Sequence, residues 1–214
     1  MNKLIIVGAG GFGRETLQSA LQTSENNVSW VVSGFISDDL DVLQGTNCNY
    51  PILGRVMDWQ PKEDERFIIA IGSPSDKKKA VEVLSQRRAV FTNVIHRTAV
   101  IYPSSKLGIG VICVPNVFVS DNAVIGDHVA INYGSCIGHD VSVGNYTTIS
   151  SLCDVTGNVA IGESVFISSG VSIIPKVKIG DHAFICAGST VMNDLNAHAK
   201  VLGIPARNFA IKTA

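Results

Sequence analysis

From Ile101 onward, a core-type residue recurs at every sixth position: Leu107, Val119, Ile125, Ile131, Ile137, Val143, and so on to Ile185 and Val191. The phase never slips, and only Cys113 among these stations is not aliphatic. Four residues after each station stands a small or β-branched residue, as at Val111, Ala123, Ser135, Thr147, Val159 and Ala183. Glycine follows many stations directly, as at Gly108, Gly126, Gly138, Gly144, Gly162 and Gly180. An α-helix repeats near 3.6 residues and cannot hold a strict period of six, and a plain hairpin meander would not need one. A solenoid does, because one inward residue per face stacks on its counterpart in the next coil. Three hexads closing a triangular coil of roughly 18 residues predict a left-handed parallel β-helix of about five coils. The segment "VMNDLNAHAKVLGIPARNF" breaks the rhythm and is expected to cap the last coil, covering a backbone edge that would otherwise template aggregation.

The first part of the chain follows another pattern. "KLIIVGAGGFGRETLQSAL" reads as an aliphatic strand, a glycine-rich turn and a helix with an inward stripe at Phe12, Leu17 and Leu21. A second strand is expected over Trp30–Ile36 and a third in "RFIIAIG". "SDKKKAVEVLSQ" reads as a helix capped at Ser75 or Asp76. Alternation of strand and helix predicts parallel βαβ units and a small open sheet. The expected organisation is therefore an α/β Rossmann-like domain over residues 1–92, then a left-handed β-helix with a short C-terminal cap over 93–214. "VFTNVIHRTAVIYPSS" joins them with no flexible linker and little interdomain motion expected.

Ligands of open α/β sheets bind beyond the carboxyl ends of the strands. That edge comprises Gly8–Gly13, Ser37–Asp39 and Gly72–Ser73. "GAGGFG" holds G-x-G-x-x-G as Gly8, Gly10 and Gly13, a spacing that lets backbone approach a phosphate at a helix N-terminus. The expected sheet is too small for two mononucleotide halves, which disfavours NAD(P). A nucleotide-linked or other phosphorylated ligand and a purely structural turn both stay open.

Composition narrows the function further. With 17 basic and 18 acidic residues in 214, the net charge of −1 offers no electrostatic grip on nucleic acid or an anionic membrane. The apolar run Leu4–Val7 is too short for a signal peptide, and no run approaches the roughly 20 residues that span a bilayer. No membrane insertion and a cytoplasmic location are expected. Five cysteines show no C-x-x-C spacing, and Cys113 and Cys153 fall at interior positions of the repeat, so packed, reduced thiols are expected.

His139 and Asp140 stand side by side within the repeat. His128 and His182, each in a "GDH" step, read as outward turn residues with solvated or interface-lining roles. His139 sits one place earlier in its hexad, at a corner where a side chain projects into a groove. An adjacent carboxylate fixes an imidazole's tautomer and makes it a stronger base. A metal hydratase on this helix needs three converging histidines, two of them five residues apart, and His128, His139 and His182 lack that pair, so no metal is expected.

Nearly end to end, the chain resembles the sugar acyltransferases of the sialic acid O-acetyltransferase NeuD type, which include PglD-like N-acetyltransferases of nucleotide-linked 4-amino-4,6-dideoxy sugars. The resemblance rests on "KLIIVGAGGFGRE", "FISDD", "AIGSPSDKK", "NVIHRTAVIYPS", "VPNVFVSDNAVIGDHVAINYGSCIGHDVSVGNYTTIS" and "VLGIPAR". It implies acetyl-CoA as co-substrate, a homotrimer with active sites between subunits, and a step in polysaccharide or related glycan biosynthesis. It makes His139, in the step Ile137–Asp140, the general base, and Asp140 the residue that raises its basicity. It assigns nucleotide-sugar binding to Gly10, Gly11, Phe12, Ser37, Asp38 and Gly72. Acetyl-CoA binding maps to Asn132, Thr148, Gly157, Ser169 and Ala187, with Thr148, Ser169 and Ala187 differing from relatives in side chain. A Gly157 N–H would hold the oxyanion. A sialic acid O-acetyltransferase and a non-catalytic, trimeric sugar-binding scaffold are the competing expectations.

Overall fold

The structure is a computed structural model that describes residues 1–23 and 30–209. The N-terminal unit runs β1 (Asn2–Val7), α1 (Gly11–Leu21), β2 (Trp30–Ile36), β3 (Ile52–Gly54), β4 (Glu65–Ile69) and α2 (Pro74–Gln86). All four strands are parallel, in the order β3-β2-β1-β4. The continuous apolar run Leu4–Val7 is buried on both faces of the sheet, as a parallel strand requires. β3 has only three residues and no alternating pattern, so the sequence does not announce it.

Both helices depart from expectation in detail. In α1 the buried stripe is Gly13, Thr16, Leu17, Ser19 and Ala20, whereas Leu21 is half exposed. Small polar residues reach the core here because Thr16 and Ser19 donate to the carbonyls of Phe12 and Glu15 within the helix. α2 starts before Ser75, with Ser73 as its N-cap, accepting from the Asp76 N–H at 3.4 Å, and Pro74 in the first turn. Proline suits that place because its missing N–H would have no helical partner anyway.

After α2 the chain runs beside β4 at Phe91, which bridges to Phe67, and enters the solenoid at once with β5 (Val94–Ile95). From there it winds over three flat faces. Face 1 carries β5 and the rungs at Ile112–Cys113, Ala130–Ile131, Thr148–Ile149, Phe166–Ile167, Phe184–Ile185 and Lys200–Leu202. Face 2 carries six rungs from Val100–Ile101 to Thr190–Val191, and face 3 five from Lys106–Leu107 to Lys178–Ile179. Each residue pairs with the one eighteen positions on, as Ile131 with Ile149 and Ile149 with Ile167. The rhythm already holds at Ile95, paired with Cys113 on face 1, so the solenoid begins one hexad before the first expected station. The last coil is shorter: Phe184 pairs with Lys200, sixteen residues on, and Val201 then pairs antiparallel with Asn208. That hairpin is the cap; residues 210–214 of the expected cap lie outside the described residues.

The stations from Cys113 to Val191 are buried, and the second tier from Val111 to Ala183 is buried with them. Where that tier is polar, a neighbouring coil satisfies it. Ser135 Oγ donates to the Ser150 carbonyl at 2.8 Å, and Thr147 Oγ1 donates to Gly162 O and accepts from Val165 N–H, both at 3.0 Å. Cys113 and Cys153 lie in this core, and burial pushes the Cys113 thiol up to about 12. The N-terminal unit packs on face 1. Leu4, Ile6, Phe35 and Leu17 share one cluster with Val94, Ile112 and Ala130, so a single apolar core spans the junction.

Candidate active site

Every sixth residue from Gly110 to Gly188 has φ between +56° and +72°, which turns the chain at each corner. Asp140 occupies this left-handed place, at φ +60°, with His139 just before it. The reversal swings the Asp140 carboxylate back onto its neighbour, so His139 Nδ1 lies 2.7 Å from Asp140 Oδ2. The other oxygen, Oδ1, accepts from Asn122 Nδ2 at 2.7 Å. Asn122 is the corner residue one coil earlier; stepping back eighteen from Asp140 would have found it. The Asn122 amide and then the imidazole hold the Asp140 carboxyl below the usual carboxylate range. Asp140 is therefore ionised at neutral pH and fixes the imidazole with Nδ1 inward and Nε2 outward. Both side chains are exposed on the corner between faces 2 and 3.

Gly157 occupies the matching corner of the next coil, under the imidazole. A Cβ there would collide with His139 Nε2, so only glycine lets the ring lie flat. The Gly157 N–H makes no hydrogen bond among the described residues, which leaves a donor beside Nε2. The arrangement can accept a proton at Nε2 and offer an N–H to a developing negative charge within a few ångströms.

The other expected acetyl-CoA residues are placed elsewhere. Asn132, Ser169 and Ala187 line the corner between faces 1 and 2, across face 2 from His139. Asn132 Oδ1 is buried there without a partner among the described residues. Thr148 is on face 1, buried, with its hydroxyl accepting from Lys77 Nζ at 2.8 Å, so its side chain is committed to the domain junction.

The glycine edge forms as expected at the carboxyl ends of β1, β2 and β4. Strand order reverses between β1 and β4, which opens a crevice between Gly8–Gly13 and Gly72. Gly10, Gly11 and Gly72 have nothing within 4 Å of where a Cβ would stand, so the crevice is open at all three. Gly13 is closed: a Cβ would strike the Gly8 carbonyl, so this glycine serves helix–strand packing. α1 has no side-chain cap and no acidic residue in its first turn, so its N–H groups and positive dipole end face the crevice unopposed. Ser37 is buried beside it, and Asp38 Oδ1 accepts from the Met57 N–H at 3.2 Å. The Phe12 ring turns away and packs into the junction core, leaving only its backbone to the crevice.

His128 is not solvated. It is buried, edge-on to Phe91 with centroids 4.7 Å apart and stacked on Tyr146 at 5.6 Å, and burial lowers it to about 4. The N-terminal unit covers that corner, which the hexad rhythm alone does not show. His182 is exposed and stacks on His198 at 4.9 Å. Among the described residues, no three His, Cys, Asp or Glu side chains converge as metal ligands. No described helix is long and apolar enough to cross a membrane.

Comparison with known proteins agrees with this fold. Residues 3–84 match the PglD N-terminal domain, and residues 158–193 match the bacterial transferase hexapeptide (six repeats). The GDP-perosamine N-acetyltransferase of Escherichia coli O157:H7 is 29% identical over 159 residues, 70% of this chain and 68% of that protein. The structure of PerB from Caulobacter crescentus, in complex with CoA and GDP-perosamine, is 26% identical, with a TM-score of 0.88 over 98% of both chains. The acetyltransferase domain of PglB from Neisseria gonorrhoeae FA1090, in complex with acetyl coenzyme A, is 25% identical, with a TM-score of 0.86 over 98% of this chain and 100% of that one. The chain thus joins a PglD N-terminal domain to a bacterial transferase hexapeptide repeat, in the fold of PerB and of the PglB acetyltransferase domain.

Proposed function

We propose that the protein transfers the acetyl group of acetyl-CoA to the amino group of a nucleotide-linked 4-amino-4,6-dideoxy sugar, with His139 as general base. The observation that carries this reading is the Asn122–Asp140–His139 chain, which presents Nε2 beside the free N–H of Gly157. The ligands of PerB and of the PglB domain, a GDP-linked amino sugar and CoA or acetyl-CoA, support the same pair of substrates. The amine nitrogen attacks the thioester carbonyl carbon while its proton passes to His139 Nε2. The carbonyl oxygen gathers negative charge against the Gly157 N–H. The C–S bond then breaks, and the imidazolium returns the proton to the thiolate, releasing CoA. No acyl-enzyme is required, and no cysteine stands at this corner.

The nucleotide lies in the crevice at Gly10, Gly11 and Gly72, with its phosphates at the open N-terminus of α1 and Ser37 and Asp38 at its flank. His139 and Gly157 are on one corner of the helix, while Asn132, Ser169 and Ala187 are on another. Neighbouring copies in a homotrimer would bring such corners together, with acetyl-CoA between them. Thr148 is not part of that groove in this reading, because Lys77 holds its hydroxyl. The reaction places the protein among cytoplasmic glycan-precursor enzymes.

The test supplies acetyl-CoA with UDP-, dTDP- and GDP-linked 4-amino-4,6-dideoxy sugars and with sialic acid, and identifies the product by mass and by hydroxylamine stability. An amide on one of the amino sugars is the expected product. A hydroxylamine-labile ester on sialic acid alone contradicts the acceptor.

A further inference from the structure

Lys77 is the one fully buried lysine among the described residues. It stands in the first turns of α2, shortly after Gly72 of the glycine edge, yet its side chain leaves the N-terminal unit. Nζ donates to three consecutive residues of a single coil: to Thr148 Oγ1 at 2.8 Å and to the carbonyls of Tyr146 and Thr147, each at 3.3 Å. Three acceptors match the three hydrogens of an ammonium group. Among the described residues no carboxylate pairs with it. Lys78 and Glu163 pair with each other at 2.7 Å nearer the surface. His128 and the Tyr146 ring fill the space beside it.

Such a group is a poor device for stability. Burial pushes the Lys77 ammonium down to about 7, and buried charged groups are often replaced by apolar ones of similar size without loss of stability. Apolar contacts, however, tolerate small slides, whereas three hydrogen bonds to one coil do not. They fix α2, and with it Gly72, at one height along the solenoid.

We propose that Lys77 is a positioning residue for acyl transfer: by gripping Tyr146, Thr147 and Thr148 it sets where the N-terminal unit presents the nucleotide-linked sugar to the β-helix. This rests on the acetyl-transfer reading above.

The test uses the full chain with Lys77→Met and, separately, Thr148→Val. Affinity for the nucleoside diphosphate alone (whichever of GDP, UDP and dTDP binds the wild type) and KM for acetyl-CoA should each change less than about 2-fold in Lys77→Met. Its kcat should fall about 10- to 100-fold, since a displacement near 1 Å costs that much. Thermal unfolding should stay within about 3 °C of wild type. Thr148→Val, which removes one acceptor of three, should lower kcat alone, by about 3-fold. An unchanged kcat in Lys77→Met overturns the proposal. So does a loss in which unfolding temperature and both affinities fall together with kcat, because that is a structural role. If Lys77→Met does not fold, Thr148→Val decides: unchanged kcat overturns, a selective fall supports. A wild-type protein without turnover sinks the acetyl-transfer reading and the proposal with it, whereas a working wild type with an unaffected Lys77→Met sinks the proposal alone.

Discussion

In the proposed mechanism Asp140 serves His139 only while it is ionised, and two hydrogen bonds keep it so. The Asn122 amide is the larger cause and the His139 ring the second. A carboxyl held below its ordinary value of 3.8 contributes stability above that value and loses it as pH falls through the lower, folded one. A carboxyl NMR titration should place Asp140 below 3.8 in the wild type, and Asn122→Ala should move it back up. Asp140→Asn should lower kcat about 10²-fold or more with little effect on KM, because an amide no longer selects the tautomer with Nε2 free. Adjacency in the sequence made His139 and Asp140 legible as a pair. Asn122 was hidden because its contact depends on the eighteen-residue coil, not on neighbourhood along the chain.

At the scale of the coil, one left-handed residue per corner and one glycine under the imidazole decide the site's shape. Gly157→Ala should push the ring aside and lower kcat by about 10-fold or more, while thermal unfolding stays near wild type, since the added methyl meets only an exposed side chain. The polar rungs of the core behave differently. Thr147→Val strands the Val165 N–H and the Gly162 carbonyl, and should cost about 1–3 kcal/mol in chemical denaturation. The stations from Ile101 to Val191 made the β-helix legible because inward residues must repeat wherever coils stack. Three features were not legible. β3 is too short to show a pattern, the shortened last coil ends the period, and Ile95 is masked by the polar residues that follow it. Of the two roles expected for His128, solvated or interface-lining, hexad position could not choose, because it tells which way a side chain points and not what another unit packs against it.

The whole molecule is a shared core with buried basic groups at its junction. Lys77, lowered from 10.5 to about 7, and His128, lowered from 6.5 to about 4, are both less basic folded than unfolded. In each window, 7 to 10.5 and 4 to 6.5, the unfolded chain binds the extra proton, so stability should rise with pH. Unfolding midpoints measured across pH should climb in both windows, and Lys77→Met should flatten the upper one. In the proposed reading, the His139 corner and the Asn132, Ser169 and Ala187 corner lie on different sides of one copy, so a neighbour would complete the site. Mixed assemblies of His139→Ala with a corner-filling Ala187→Trp should therefore recover part of the activity that each lacks alone, and a fully dead mixture contradicts a site shared between copies. The central claim is tested most directly by CoA thiol release from acetyl-CoA with a nucleotide-linked 4-amino-4,6-dideoxy sugar, in the wild type and in His139→Ala. The account predicts turnover in the wild type and a loss of about 10²-fold or more in the variant, with acetyl-CoA still bound. Equal turnover in both proteins would contradict it.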